Sequence, residues 1–146
     1  MEVRTAQAQW LGDSKNGSGK VMFGSNARER SYSVNTRLKK IPDTNPEELL
    51  GATQAACFNR RLAGLLERAG YAVQAIQTVA RVSIETIGKK TKIASIELDS
   101  ETKVLPHIDT VILREKAELA KNHCPIPRAL SGVDVKLSIR RMLMAA

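Results

Sequence analysis

A chain of 146 residues with 42% hydrophobic content can bury a substantial core, so a single domain over residues 1–146 is expected. Lysine and arginine outnumber aspartate and glutamate by 23 to 15, a net charge of +8, but the basic residues fall in scattered pairs and aromatics make up only 3%. That pattern argues against a nucleic-acid-binding module, which needs a continuous basic surface and stacking platforms, and no apolar run reaches the length of a membrane span or a secretory leader. A cytoplasmic location is therefore expected, where two cysteines are more often catalytic, redox-sensing or buried than permanently bridged.

Residues 3–10 and 20–25 read as two strands around a turn segment, Gly12 to Gly19, rich in Gly, Ser, Asn and Asp. Gly17-Ser18-Gly19-Lys20 does not make a phosphate-binding loop, because position 14 is Ser and position 21 is Val. A further strand is expected over Ser31 to Arg37, which places Arg37 at a strand end. Asn45 can then cap a helix, Pro46 sits where a missing N–H costs nothing, and Glu48 completes a capping box. The apolar surface of that helix, carrying Leu50, Ala55, Phe58, Leu62 and Leu66 among others, is too wide for a solvent-facing element, and Gly70 offers its stop. Gly51, Ala52, Ala55, Ala56 and Gly64 leave little bulk, so another backbone can come close and leave a narrow cleft beside Cys57.

Beyond Gly70, Ile76, Thr78, Ala80, Val82 and Ile84 share one face of an alternating run, and Gly88 to Lys90 turns into a second run from Ile93 to Leu98. Asp109 can cap a second helix, which must stop near Cys124 because Pro125 disfavours helical geometry in the residue before it. Val133, Val135, Leu137 and Ile139 alternate with polar residues as a closing strand. The order strands, helix, strands, helix, strand lacks the regular alternation of a doubly wound sheet. An α+β domain with largely antiparallel sheets around two central helices is expected.

The two cysteines, Cys57 on the small-residue helix and Cys124 at a helix break, invite a reversible disulfide, as in a redox enzyme. By residue type alone each could equally be a small buried hydrophobe. His123 beside Cys124 suggests a metal, but adjacent residues rarely converge on one ion and His107 is the only other imidazole, so zinc is not expected.

Taken together, NTR at Asn35 to Arg37, TNPEELLGA leading to AACF at Cys57 and Phe58, AGY ending on Tyr71, and CP at Cys124 resemble the OsmC/Ohr family of thiol peroxidases, and its OsmC branch in particular. The resemblance spans nearly the whole chain. It implies an intertwined homodimer that reduces organic hydroperoxides, and hydrogen peroxide more weakly, in the response to oxidative and osmotic stress. It also implies no metal or flavin cofactor, and recycling by a dithiol of the lipoyl type. The family's peroxidatic cysteine falls on Cys57, its resolving cysteine on Cys124, its arginine on Arg37 and its glutamate on Glu47. The chain departs from the usual pattern at Leu38, at Asn59, Arg60 and Arg61 directly after AACF, and at Pro127. Two other readings stay open, a thiol–disulfide sensor that oxidises once and switches a partner, and the basic nucleic-acid-binding module.

The chemistry explains the residue set. A free thiol with pKa near roughly 8.5 is mostly protonated at neutral pH, so Cys57 needs a nearby cation. Arg37 cannot lose its proton and can face sulfur and peroxide oxygen together, while Glu47 can hold its guanidinium fork in orientation. Glu47 and Cys57 lie ten residues apart, which on one straight helix is about 15 Å along the axis and about 80° of rotation. They cannot meet within one helix, so a Glu47–Arg37 pair that serves Cys57 has to come from a second chain.

Overall fold

In the computed structural model, which describes residues 2–13, 18–23, 46–130 and 132–142, five strands form one sheet against which the helices pack. The elements are β1 (Glu2–Leu11), β2 (Ser18–Phe23), α1 (Pro46–Arg68), β3 (Ala72–Ile87), β4 (Lys90–Leu105), α2 (Thr110–Asn122), α3 (Pro125–Ala129) and β5 (Asp134–Arg141). The expected α+β class is what is found, in the sheet order β2-β1-β3-β4-β5. The strand expected over Ser31 to Arg37, and the Asn45 cap, lie outside the described residues.

Pairing is antiparallel between β1 and β2, β1 and β3, and β3 and β4, whereas β5 runs parallel to β4. Connection length decides this. Gly88, at φ +62, closes the β3–β4 hairpin in a tight turn, but between β4 and β5 the chain carries two helices and returns in the same direction. Arg140 fastens this edge by ion pairs to Asp99 and Glu101 on β4, and hydrogen bonding to Glu101, then to Asp99, holds its pKa above the ordinary value.

The core lies between α1 and the sheet. Phe58, Leu62 and Leu66 of α1 are fully buried with Ile76, Val82, Ile96 and Leu98 of the strands, and Leu113, Ala117 and Ala120 of α2 join the same cluster. Gly51 shows how close the helix comes, because a Cβ there would stand 3.0 Å from Val82 Cγ2 and 3.4 Å from Ala80 Cβ. The small-residue stripe is thus used against strand side chains near the start of α1. At Gly64 a Cβ would meet only the flexible end of Arg68, at 3.7 Å. Gly70, at φ +93, ends the helix as expected, and the amides of Gly70 and Tyr71 donate to the carbonyls of Glu67 (2.9 Å) and Leu66 (3.1 Å).

Strand periodicity is right up to an irregularity that composition does not show. Ile76, Thr78, Ala80 and Val82 share the buried face of β3, but a register shift between Ser83 and Ile84 buries Ser83 and leaves Ile84 only partly covered. The second helix starts and stops where its sequence directs. The amide of Val111 donates to the Asp109 carboxylate (2.7 Å), and α2 ends at Asn122 before Pro125 opens the short α3.

One polar group interrupts the apolar contact between α1 and the sheet. Asn59, 1% exposed, donates from its amide nitrogen to the carbonyls of Ala8 (3.2 Å) and Ile76 (3.5 Å), and its oxygen accepts from the Thr78 hydroxyl (2.5 Å). Thr78 has a single proton, so Ser100, 2.8 Å away on β4, donates to it in turn. Three strands are thereby tied to a helix position two residues after Cys57. Asn59→Leu leaves two carbonyls and a hydroxyl buried without their partner, and a loss of about 2–3 kcal/mol is expected in urea unfolding of the reduced protein. A midpoint unchanged from the parent would show that the network contributes nothing.

Candidate active site

The fold brings the two cysteines together. Cys57 sits near the middle of α1 and is partly buried, while Cys124, 1% exposed, occupies the break between α2 and α3. Their sulfurs are bonded (2.09 Å) across a sequence separation of 67, with Cα atoms 6.4 Å apart. Each position follows from local sequence. The run from Leu49 to Leu66 makes α1 a buried helix, and Pro125 forces the break that turns Cys124 out of helical register beside it. The two residues differ in burial, since Cys124 is enclosed whereas Cys57 is only partly buried.

Glu47 is buried in the first turn of α1, at 7% exposure, with Glu48 beside it at 8%. Carboxylates there complement the positive end of the helix dipole. Ten residues of helix separate Glu47 from Cys57, about 15 Å, so the two are not brought together within this chain. Arg37 and Leu38 lie outside the described residues. His123, next to Cys124, is exposed and turned back on its own helix, where its Nδ1–H donates to the Leu119 carbonyl (2.9 Å). Among the described residues, no three His, Cys, Asp or Glu side chains gather as metal ligands.

The helix that carries Cys57 also carries enclosed polar groups. The side chain of Gln54 is fully buried, and neither its oxygen nor its nitrogen has a hydrogen-bond partner among the described residues. The Nε of Arg61, on a partly buried side chain, is likewise enclosed and unpartnered. With Asn59 these are residues that sequence reasoning did not assign. The signal was present as polar side chains on helix faces that the apolar pattern assigns to the core.

A partly buried cysteine on a buried helix, bonded to an enclosed one at a helix break, defines a dithiol–disulfide redox protein. The comparisons carry this further. The OsmC-like protein family model matches residues 39–138. Peroxiredoxin OsmC of Escherichia coli (strain K12) is 38% identical over 130 residues, covering 88% of this chain and 90% of the relative. Among solved structures, the organic hydroperoxide resistance protein of Elizabethkingia anophelis aligns with a TM-score of 0.63 at 25% identity, over 92% of this chain and 94% of that one. The organic hydroperoxide resistance protein OhrB of Bacillus subtilis shares the fold with a TM-score of 0.61 at 24% identity, over 92% and 97%. The chain belongs to the OsmC family. That kinship makes it a cysteine-based thiol peroxidase.

Proposed function

We propose that the protein reduces organic hydroperoxides, and hydrogen peroxide more weakly, through Cys57, with Cys124 resolving and a dithiol of the lipoyl type restoring both thiols. The observation that carries this reading is the Cys57–Cys124 disulfide, in which a partly buried cysteine on α1 is bonded to an enclosed one at the helix break. The thiolate of Cys57 attacks one peroxide oxygen. An S–O bond forms as the O–O bond breaks, sulfur gives up two electrons, and the alkoxide leaves and takes a proton to become the alcohol. The Cys124 thiolate then attacks the sulfenic sulfur, forming the disulfide and expelling hydroxide, which leaves as water. A dithiol returns two electrons and two protons and ends as its own disulfide. No metal or flavin enters these steps.

Arg37 supplies the cation that favours thiolate and stabilises the departing alkoxide, and Glu47 orients it. Because Glu47 stands about 15 Å from Cys57 along α1, the pair acts on the sulfur of a second copy, and the working unit is a homodimer of single-domain chains, residues 1–146. Exposed apolar side chains, Val111 of α2 at 73% and Leu105 at the end of β4 at 45%, support a surface that a second copy covers. Among the described residues no helix is long and apolar enough to cross a membrane, and a cytoplasmic setting suits a dithiol-reduced enzyme.

Mass spectrometry after one equivalent of cumene hydroperoxide, with and without dihydrolipoamide, tests the whole cycle. The expected product is the 57–124 disulfide, returned to two thiols by the dithiol. Oxidation confined to methionine, with both thiols intact, would overturn the reading.

A further inference from the structure

Two donors on α1 without a partner among the described residues, the Gln54 amide and the Arg61 Nε, stand one turn to either side of Cys57, three residues before it and four residues after it. Residues at these spacings are neighbours on the helix surface, about 5–6 Å apart at Cβ. Helical side chains lean toward the N-terminus, so Cys57 lies over the turn of Gln54 and the long arm of Arg61 lies over the turn of Cys57. A buried N–H without an acceptor is unfavourable, and a half-buried guanidinium is more so. Natural structures keep few such groups, and each one calls for a cause.

The oxidation state of the cysteine supplies one. In the disulfide Cys57 is neutral and a weak acceptor, and among the described residues neither the Gln54 amide nitrogen nor the Arg61 Nε has an acceptor. In the thiolate, and again once an oxygen is attached to sulfur, an anionic or strongly accepting atom sits within a turn of both. We propose that the Gln54 amide and the Arg61 guanidinium are further catalytic groups of the peroxidase reaction. They donate to the Cys57 thiolate and to the oxygen transferred to it, and they lose these partners when the disulfide forms. Arg61 is then a cation supplied by the same helix as the sulfur, in addition to the one brought by Arg37. This rests on Cys57 being the peroxidatic residue.

Two consequences run in opposite directions. Stabilising the thiolate and the transferred oxygen speeds reaction with hydroperoxide, and leaving the donors unpaired in the disulfide makes that disulfide easier to reduce. Gln54→Leu keeps the volume and removes both orphaned atoms, and Arg61→Met keeps the apolar stem and removes the charge. The test measures, for each variant, the second-order rate of Cys57 oxidation by cumene hydroperoxide and the equilibrium of the 57–124 disulfide with dithiothreitol, with Cys57→Ser as the control. Each variant is expected to oxidise on the order of tenfold more slowly, as for one lost hydrogen bond to a charged acceptor, and to shift the dithiol equilibrium by a similar factor toward disulfide. Oxidised Gln54→Leu is also expected to melt higher than the parent, which excludes a folding defect as the cause of slow oxidation. Wild-type rates and equilibria in both variants, with Cys57→Ser inactive, would overturn this inference and leave the peroxidase reading standing. An active Cys57→Ser would overturn both.

Discussion

Cys57→Ser is expected to abolish hydroperoxide consumption, lowering the rate by about 10³-fold or more, as for loss of a nucleophile that nothing else replaces. The reason lies in the electronics of the atom. A thiol near pKa 8.5, helped by a cation, is substantially thiolate at neutral pH, whereas a serine hydroxyl is almost never alkoxide and cannot be oxidised to a sulfenic-type intermediate. The substitution is nearly isosteric on α1, and circular dichroism should show an unchanged fold. Steady-state consumption of cumene hydroperoxide with dihydrolipoamide provides the measurement. Wild-type turnover in the serine variant would place the chemistry elsewhere.

Cys124→Ser separates the first step from the cycle. Cys124 is enclosed, and in the proposed cycle it takes no part in the attack on peroxide, so the first equivalent should be consumed at close to the parental rate. Without the resolving thiol the sulfenic acid persists, and a second equivalent of peroxide carries Cys57 to the sulfinic state, which dithiols do not reverse. Stopped-flow consumption should show one fast equivalent, a slower second one and then stop, and the mass of the peptide bearing Cys57 should rise by two oxygens. The same variant loses the cross-link, which closes a loop with a sequence separation of 67, so it should unfold about 4 kcal/mol more easily than the oxidised parent. Sustained turnover with dihydrolipoamide at the parental rate would show that Cys124 does not resolve. Together the two variants also separate an enzyme from a sensor, since a sensor would not consume many equivalents per dithiol pool.

Much of this architecture was legible before any coordinates. The helix through Cys57 is announced by a Pro-Glu-Glu start, an apolar surface and Gly70, all local signals that act within a turn or two of chain. The same holds for the Asp109 cap and for the break at Pro125. Other features depended on residues far apart in sequence. The Ser83 irregularity arises in pairing with β4, and the parallel setting of β5 follows from where two helices lay the returning chain. Local periodicity carries no information about either.

The site divides in the same way. Sequence by itself determined where the two candidate thiols stand, one on a capped helix and one at a helix break, because helix signals are short-range. Only the tertiary structure decided that the sulfurs meet across 67 residues, and that Cys57 is partly buried while Cys124 is enclosed. It also decided that Asn59 is bonded to β1 and β3, and through Thr78 to β4, while Gln54 and the Arg61 Nε have no partner among the described residues. Burial and hydrogen-bond satisfaction are properties of what surrounds a side chain, and the surroundings of α1 come from every other part of the chain.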